Sequence, residues 1–152
     1  MLKKAQRLAP VVEMAEETER EAVGKLAKQQ LQLQQAEQQL VGLEQYRNDY
    51  QQQWISRGQS GVTGEWLMNY QRFLSQLETA IDQQRKSIQW HSQNVDKARE
   101  QWRQAYARLE GLKKLVQRYH DQARQRADRQ EQKDMDEMAA RAGQLNKHPG
   151  DT

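Results

Sequence analysis

Few residues of this chain have the chemistry of an active site. The three histidines are His91, His120 and His148, and there is no cysteine. A catalytic base or a metal ligand needs partners, and none of these histidines has a second histidine or a thiol near it in the sequence. Asp136 and Glu137 are adjacent acids, which point to different sides of a helix and do not form a pair. We therefore expect a protein that is not an enzyme and has no catalytic residue, metal site or cofactor.

The dominant pattern is an apolar seam. Apolar residues recur at alternating steps of three and four, the 3.5-residue period of a coiled coil. The first run of seam positions comprises Leu8, Val12, Ala15, Glu19, Ala22, Leu26, Gln29, Leu33, Ala36, Leu40, Leu43, Arg47, Tyr50 and Trp54. The second run comprises Leu67, Tyr70, Leu74, Leu77, Ile81, Gln84, Ile88, His91, Val95, Ala98, Trp102, Ala105, Leu109, Leu112, Val116, Tyr119 and Ala123. So long a period predicts two long helices, each with a narrow buried stripe.

Gly58, Gly61 and Gly64 mark the break between the two runs and read as turn residues. Two helices joined by one turn bury their seams against each other, so the predicted fold is all-α. We expect a long antiparallel two-helix coiled-coil hairpin with an overhanging C-terminal helix. The expected bounds within a single coiled-coil domain, 1–152, are helix 1 at about 10–56, a turn at 57–63, helix 2 at about 64–142 and a flexible tail at 143–152. Thr63 is the expected N-cap of the second helix.

The seam also predicts which residues face each other. In an antiparallel hairpin with this turn, partner numbers add up to about 117 or 124. Residue 1 then lies opposite 116–123, and the register fails just after Ala123. Beyond that point Met135, Met138, Ala142 and Leu145 resume the spacing in a new register, with no partner in the chain. We expect this overhang either to fray or to be received by another protein.

His91 has a plainer explanation than catalysis, because it occupies a seam position. One polar residue in a seam fixes the register of a coiled coil, and we favour that role over a base or a metal ligand.

Composition supports a narrow seam rather than a globular core. The chain has 36% hydrophobic and 30% charged residues, with a mean hydropathy of -1.19. It lacks an apolar stretch long enough to span a bilayer and a secretory signal, so we expect a cytoplasmic protein without a transmembrane segment. The net charge is only +3. Positive charge concentrates between Arg103 and Arg129, where eight basic residues face three acids.

Large and small side chains also lie one step outside the seam near the turn. Gln39 and Tyr46 in the first helix, and Phe73 and Ala80 in the second, occupy such edge positions. A large aromatic residue there is only half covered by one partner helix. Either it shields the edge of the seam, or it belongs to a patch on which another protein docks.

Three stretches resemble a known family. They run from Tyr46 to Tyr50, from Trp66 to Ile81 and from Gln132 to Met138. The pattern Trp-x-x-Asn-Tyr-Gln-x-Phe, followed by Leu-Glu-x-Ala-Ile, is the specific part. Together with the helix lengths and the turn, these stretches resemble the FliJ family of flagellar export proteins.

This resemblance implies a non-catalytic component of the flagellar type III export apparatus, peripherally associated with the inner membrane at the flagellar base. Family members resemble the central stalk of rotary ATPases. The implied partners are the hexameric export ATPase, whose assembly and activity the protein promotes, the cytoplasmic domain of the membrane-embedded export gate, and export chaperones that it escorts. The implied gate-binding residues are Gln39, Leu43, Tyr46, Tyr50, Phe73, Leu77 and Ala80. The implied contacts with the ATPase ring are Gln132, Lys133, Asp136 and Glu137. At Gln84 the best-known relatives carry histidine, so this position is left out.

Three other functions remain open. The stripe from Arg103 to Arg129 suits nucleic-acid phosphates, although glutamines and acids interrupt it and no base-reading module is recognisable, so we expect no nucleic acid. The stalk protein of a virulence-type secretion system shares the architecture, but the motif from Trp66 to Ile81 favours the flagellar branch. A plain structural spacer that dimerises through its seams is the third.

Overall fold

The fold is a two-helix hairpin. The structure is a computed structural model that describes residues 2–147, with the backbone alone for Lys147. Helix α1 spans Leu2–Gly58 and helix α2 spans Gly64–Lys147. The two helices pack against each other in opposite directions, and no strand occurs among the described residues. The predicted all-α hairpin is confirmed.

The predicted seam is the buried stripe. Every seam position named from the sequence is buried or half-buried, and the most deeply buried is Ile81. The stripe also begins one step earlier than predicted, at Ala5. Cross-helix pairs give the register: Gln39 bonds Gln84, and Trp54 stacks on Tyr70. The numbers of each pair add up to about 124, one of the two predicted values.

Helix α1 starts eight residues before the expected position and continues through Pro10. Proline inside a helix removes one backbone hydrogen bond and costs about 3 kcal/mol. The residues before it pack well enough to keep the helix intact, because Ala5 is buried and the Lys4 ammonium lies 5.7 Å from the centre of the Tyr119 ring. Packing of the first turns therefore outweighs the local preference of the proline.

The turn is built by the residues that the sequence indicated. The Thr63 hydroxyl accepts a hydrogen bond from the Trp66 N–H at 3.1 Å, so its role as N-cap of α2 is confirmed. Gly61 has φ at +87°, a backbone conformation that a side chain would strain. The Ser60 N–H and hydroxyl both donate to the Arg57 carbonyl oxygen and close the end of α1.

Helix α2 does not stop near Gly143, as expected, but continues to Lys147. A helical glycine costs only about 1 kcal/mol relative to alanine, which does not end a long helix by itself. Residues 143–147 are thus helical rather than part of a tail. His148 and the rest of the expected tail, 148–152, lie outside the described residues.

The chain divides into two compact units. One joins α1 up to Glu19 with α2 from Ala105 onward, and the other comprises Arg20–Gln104. In the first unit burial ends at Ala123, and every described side chain from Arg124 to Asn146 is exposed. The register therefore fails where the sequence predicted, and the overhang packs on no other described residue of the chain. The expectation of a single domain stays a prediction.

Candidate docking face beside the turn

Six aromatic side chains meet in the unit Arg20–Gln104, immediately before and after the turn. We call them the aromatic cluster: Tyr46, Tyr50 and Trp54 from α1, and Trp66, Tyr70 and Phe73 from α2. They lie together because the hairpin reverses at residues 59–63, so the last turns of α1 face the first turns of α2.

Tyr70 is the centre of the cluster. Its ring stacks on Tyr50 at 5.0 Å, on Trp54 at 5.3 Å and on Trp66 at 5.7 Å, measured between ring centres. Aromatic pairs of this kind each add about 0.5–1.5 kcal/mol beyond the burial of their surface. Burial raises the pKa of the Tyr70 hydroxyl, and nearby Tyr50 and Glu78 raise it further. The base of the cluster is therefore a stack of rings in which Tyr70 is buried and Tyr50, Trp54 and Trp66 are half-buried.

The other edge of the cluster faces outward. Phe73, the one phenylalanine of the chain, packs on Tyr50 at 4.6 Å and meets the edge of Tyr46 at 6.0 Å. Tyr46 is 53% exposed, and Phe73 is partly exposed. An aromatic edge of this kind, held from behind by stacked rings, is available to a partner without prior rearrangement.

The seven predicted gate-binding residues differ in their exposure to solvent. Gln39 and Tyr46 are exposed, whereas Leu43, Tyr50, Phe73 and Ala80 are partly exposed. Leu77 is only 7% exposed, so it supports the face from below rather than lying in it. The ring contacts bring together Tyr46, Tyr50 and Phe73.

Gln84, which the sequence-based list left out, is tied to this face. Its side-chain Nε2 donates to the Ala36 carbonyl oxygen at 2.9 Å and to Gln39 Oε1 at 3.1 Å. The bond to the backbone fixes the seam register one heptad beyond Leu77, and the second bond holds the exposed Gln39 side chain. A polar seam residue opposite an edge glutamine was the signal for this contact.

Sequence reasoning also missed Trp54, Trp66 and Tyr70 as members of the face. Trp54 and Tyr70 were assigned only to the seam, although both are aromatic and flank the turn. The indole Nε1 of Trp54 is enclosed and has no hydrogen-bond partner among the described residues. The signal was a concentration of aromatic residues on both sides of one turn, where a hairpin must bring them together.

The four predicted ring contacts lie on the overhang and are all exposed: Gln132, Lys133, Asp136 and Glu137. The amide of Gln132 donates to the Asp136 carboxylate one turn later, at 3.1 Å. The spacing of four residues places Gln132 with Asp136, and Lys133 with Glu137, along one side of the helix. The exposed Met135 and Met138 lie among them.

No group of three potential ligands among the described residues has the arrangement of a metal site. His91 is half-buried in the seam, 4.9 Å from the Trp90 ring, and its Nδ1 has no hydrogen-bond partner in the described chain. Neither of the two helices, over the part described, is apolar enough along its length to cross a membrane.

Comparison with known proteins identifies the whole hairpin. The family model of the flagellar FliJ protein matches residues 3–148. A flagellar FliJ protein from Escherichia coli K12 is 36% identical over 135 residues, which is 89% of this chain and 92% of the relative. One from Salmonella typhi is 34% identical over 135 residues, with the same coverage. The range matched by the family model includes both helices, the turn and the overhang.

Proposed function

We propose, since this chain belongs to the flagellar FliJ family and is a component of the flagellar export apparatus, that it acts as a stalk-like coupling protein. In this proposal it promotes assembly and activity of the hexameric export ATPase and connects that ATPase to the export gate. It also escorts export chaperones. It performs no chemistry itself, and it works in the cytoplasm, peripherally associated with the inner membrane at the flagellar base.

The aromatic cluster is the observation that carries the gate contact. Binding surfaces derive most of their affinity from a few aromatic or charged anchors that are already well packed. Tyr46 and Phe73 have this character, because both are accessible to solvent and Phe73 packs on Tyr50, which in turn stacks on Tyr70. We therefore assign the cytoplasmic domain of the gate to this face, with Gln39 at its border.

The overhang supports the ATPase contact. From Arg124 to Asn146 all described side chains are exposed, and the segment nevertheless continues α2. A polar helix that packs on no other described residue suits insertion into a ring whose inner surface supplies the contacts. Binding that differs between the conformations of the ring subunits would shift their populations and thereby change the hydrolysis rate.

The hydrolysis rate of the cognate export ATPase, with and without this protein, tests the proposal. We expect saturable stimulation that persists at moderate salt, because insertion of a helix into a ring does not depend on a few exposed charges alone. Absence of stimulation would contradict the stalk role. Stimulation erased by slight screening would instead indicate nonspecific attraction between exposed charges.

A further inference from the structure

A groove on the unit Arg20–Gln104 has a basic lining that the proposed function does not use. It encloses about 390 Å³ between the two helices. Its lining, which we call the lysine groove, comprises Lys25, Lys28, Gln29, Asn94, Lys97, Ala98 and Gln101. Three lysines and three residues with side-chain amides thus line one groove, and none of the lining residues is acidic.

The charges of the three lysines are offset only by acids that do not pair with them, such as Glu21 one helical turn before Lys25. The acids nearest to Lys97 in the sequence are engaged elsewhere, since Asp96 pairs with Arg99 at 3.8 Å and Glu100 with Arg103 at 3.4 Å. Within the described residues none of the three groove lysines takes part in an ion pair. Like charges gathered around a recess raise the local concentration of anions.

The seam next to the lysine groove has unmet hydrogen-bonding capacity. Gln84 donates to the Ala36 carbonyl across the seam, and the positions one heptad further from the turn are Gln29 and His91. Gln29 Oε1 and His91 Nδ1 are both enclosed, and neither has a partner in the described chain. The seam beside the lysine groove is therefore polar, but both of these atoms are enclosed and do not contact a ligand bound in the groove.

An apolar anchor lies beside the charges. Trp90 is 60% exposed and precedes Lys97 by one heptad, so both side chains project from the same side of α2. Exposed tryptophan is the residue type most enriched among the anchors of protein interfaces.

The lysine groove shares a side of this unit with the aromatic cluster. Lys25 precedes Gln39 and Tyr46 by two and three heptads on α1, and Asn94 follows Phe73 by three heptads on α2. One side of the unit therefore offers aromatic contacts near the turn and cationic contacts further from it.

We propose that the lysine groove is a second docking site, which binds an acidic peptide segment of a partner protein. Its carboxylates pair with Lys25, Lys28 and Lys97, and an apolar side chain of the segment packs on Trp90. A peptide fits better than a nucleic acid, because three cations neutralise too few phosphates for useful affinity at physiological salt. The site does not depend on the proposed contacts with the gate or the ATPase.

Fluorescence polarisation with a labelled, glutamate-rich peptide that contains leucines tests this site. We expect Lys25→Glu, Lys28→Glu and Lys97→Glu together to weaken binding by at least about tenfold. The matched control is Lys3→Glu, Lys86→Glu and Lys114→Glu, which changes the net charge equally at exposed outer positions. Replacing the groove lysines by glutamine is the milder second variant, and circular dichroism checks that each variant remains helical.

A selective loss in the groove variants, with a smaller loss in Trp90→Ala, would support the proposal. Equal losses in the groove and control variants would overturn it, since attraction would then follow net charge alone. Tighter binding of a single-stranded oligonucleotide of the same charge would overturn it in favour of nucleic acid, and so would a wild-type protein that binds neither probe.

Discussion

The aromatic cluster and the overhang differ in how their side chains are held. The aromatic cluster is packed between α1 and α2, whereas the overhang is an exposed part of α2 alone. Near the turn, rings from both helices stack at 5.0–5.7 Å around Tyr70 and hold an outer aromatic edge in place. In the overhang, α2 packs on no other described part of the chain, and side-chain hydrogen bonds there join residues four apart, such as Gln130 with Asp134 at 3.0 Å.

The two regions therefore differ in the free energy that a partner must supply to order them. The aromatic cluster is ordered by its own packing, so a partner loses little free energy in arranging it. A helix without tertiary contacts has marginal stability, and pairs four residues apart add only about 0.2–0.5 kcal/mol each. Under the proposed function the overhang would therefore depend on its partner for burial, whereas the aromatic cluster would not.

The largest expected effect is a loss of stability when the centre of the aromatic cluster is removed. Tyr70→Ala removes the ring on which Tyr50, Trp54 and Trp66 stack, and we expect it to lower the free energy of unfolding by about 3 kcal/mol. Met138→Ala, at an overhang residue that is 69% exposed, is the control and should change it by less than about 0.5 kcal/mol. Urea unfolding followed by circular dichroism measures both. Similar values for the two variants would mean that the cluster is not a stability centre.

Gate binding should be nearly as sensitive. Tyr46→Ala combined with Phe73→Ala removes the outer edge but leaves Tyr70 covered, so we expect at least about a tenfold loss of affinity for the cytoplasmic domain of the gate, with helicity retained. Met68→Ala, exposed near the turn, is the matched control. Leu77 is unsuitable for this test because its truncation would leave a cavity. Unchanged affinity, measured by calorimetry, would show that the gate does not bind to this face.

Deletion of residues 124–152 tests whether the overhang stimulates the ATPase. We expect stimulation of the ATPase to fall severalfold, while gate affinity and the thermal unfolding midpoint change little, because no described side chain from Arg124 to Asn146 is buried. Steady-state hydrolysis assays and thermal melts provide the readouts. An ATPase stimulated as strongly by the shortened chain would show that the ring does not receive the overhang.

A smaller effect comes from the raised pKa of Tyr70. The folded state holds this proton more tightly than the unfolded state, whose ordinary pKa is 10.0, so the stabilisation is complete below about pH 10 and is lost as pH rises through the folded-state pKa. Unfolding free energies measured from pH 9 to 11 should fall less steeply in Tyr70→Phe than in the wild type. Identical slopes would mean that the hydroxyl is not buried in solution.

The smallest effect concerns the ion pair between Glu44 and Arg85, which joins the two helices at 3.4 Å, with the Arg85 side chain exposed and that of Glu44 partly exposed. Exposed pairs contribute at most about 1 kcal/mol, and salt screens them. Glu44→Gln should therefore lower stability by less than about 1 kcal/mol, and the difference should vanish in concentrated salt. A larger, salt-resistant loss in urea unfolding would indicate a buried role.

Most of the fold follows from sequence because a seam of period 3.5 has one economical way to be buried. Leu77, Ile81 and Val95 are buried where the heptads place them, and burial stops after Ala123. The predicted start of helix 1 at about residue 10 was wrong, because packing keeps the turns before Pro10 helical in spite of the local preference of proline. At Gly143 the reason is different, because a single helical glycine costs only about 1 kcal/mol relative to alanine and does not end α2.

The sites were less predictable, because they depend on residues that are far apart in the chain. The stacking around Tyr70 needs the exact pairing of two helices, which a list of seam positions does not convey. The lysine groove joins Lys25 and Lys28 to Lys97, across the turn, and no local motif links them.

Site-specific photocrosslinking tests directly whether the aromatic cluster and the overhang bind different partners. A photoreactive phenylalanine would replace Tyr46 in one sample and Glu137 in another, in the presence of both the export ATPase and the cytoplasmic domain of the gate. We expect crosslinks to the gate from position 46 and to the ATPase from position 137. Crosslinks to the same partner from both positions, or exchanged partners, would contradict this expectation.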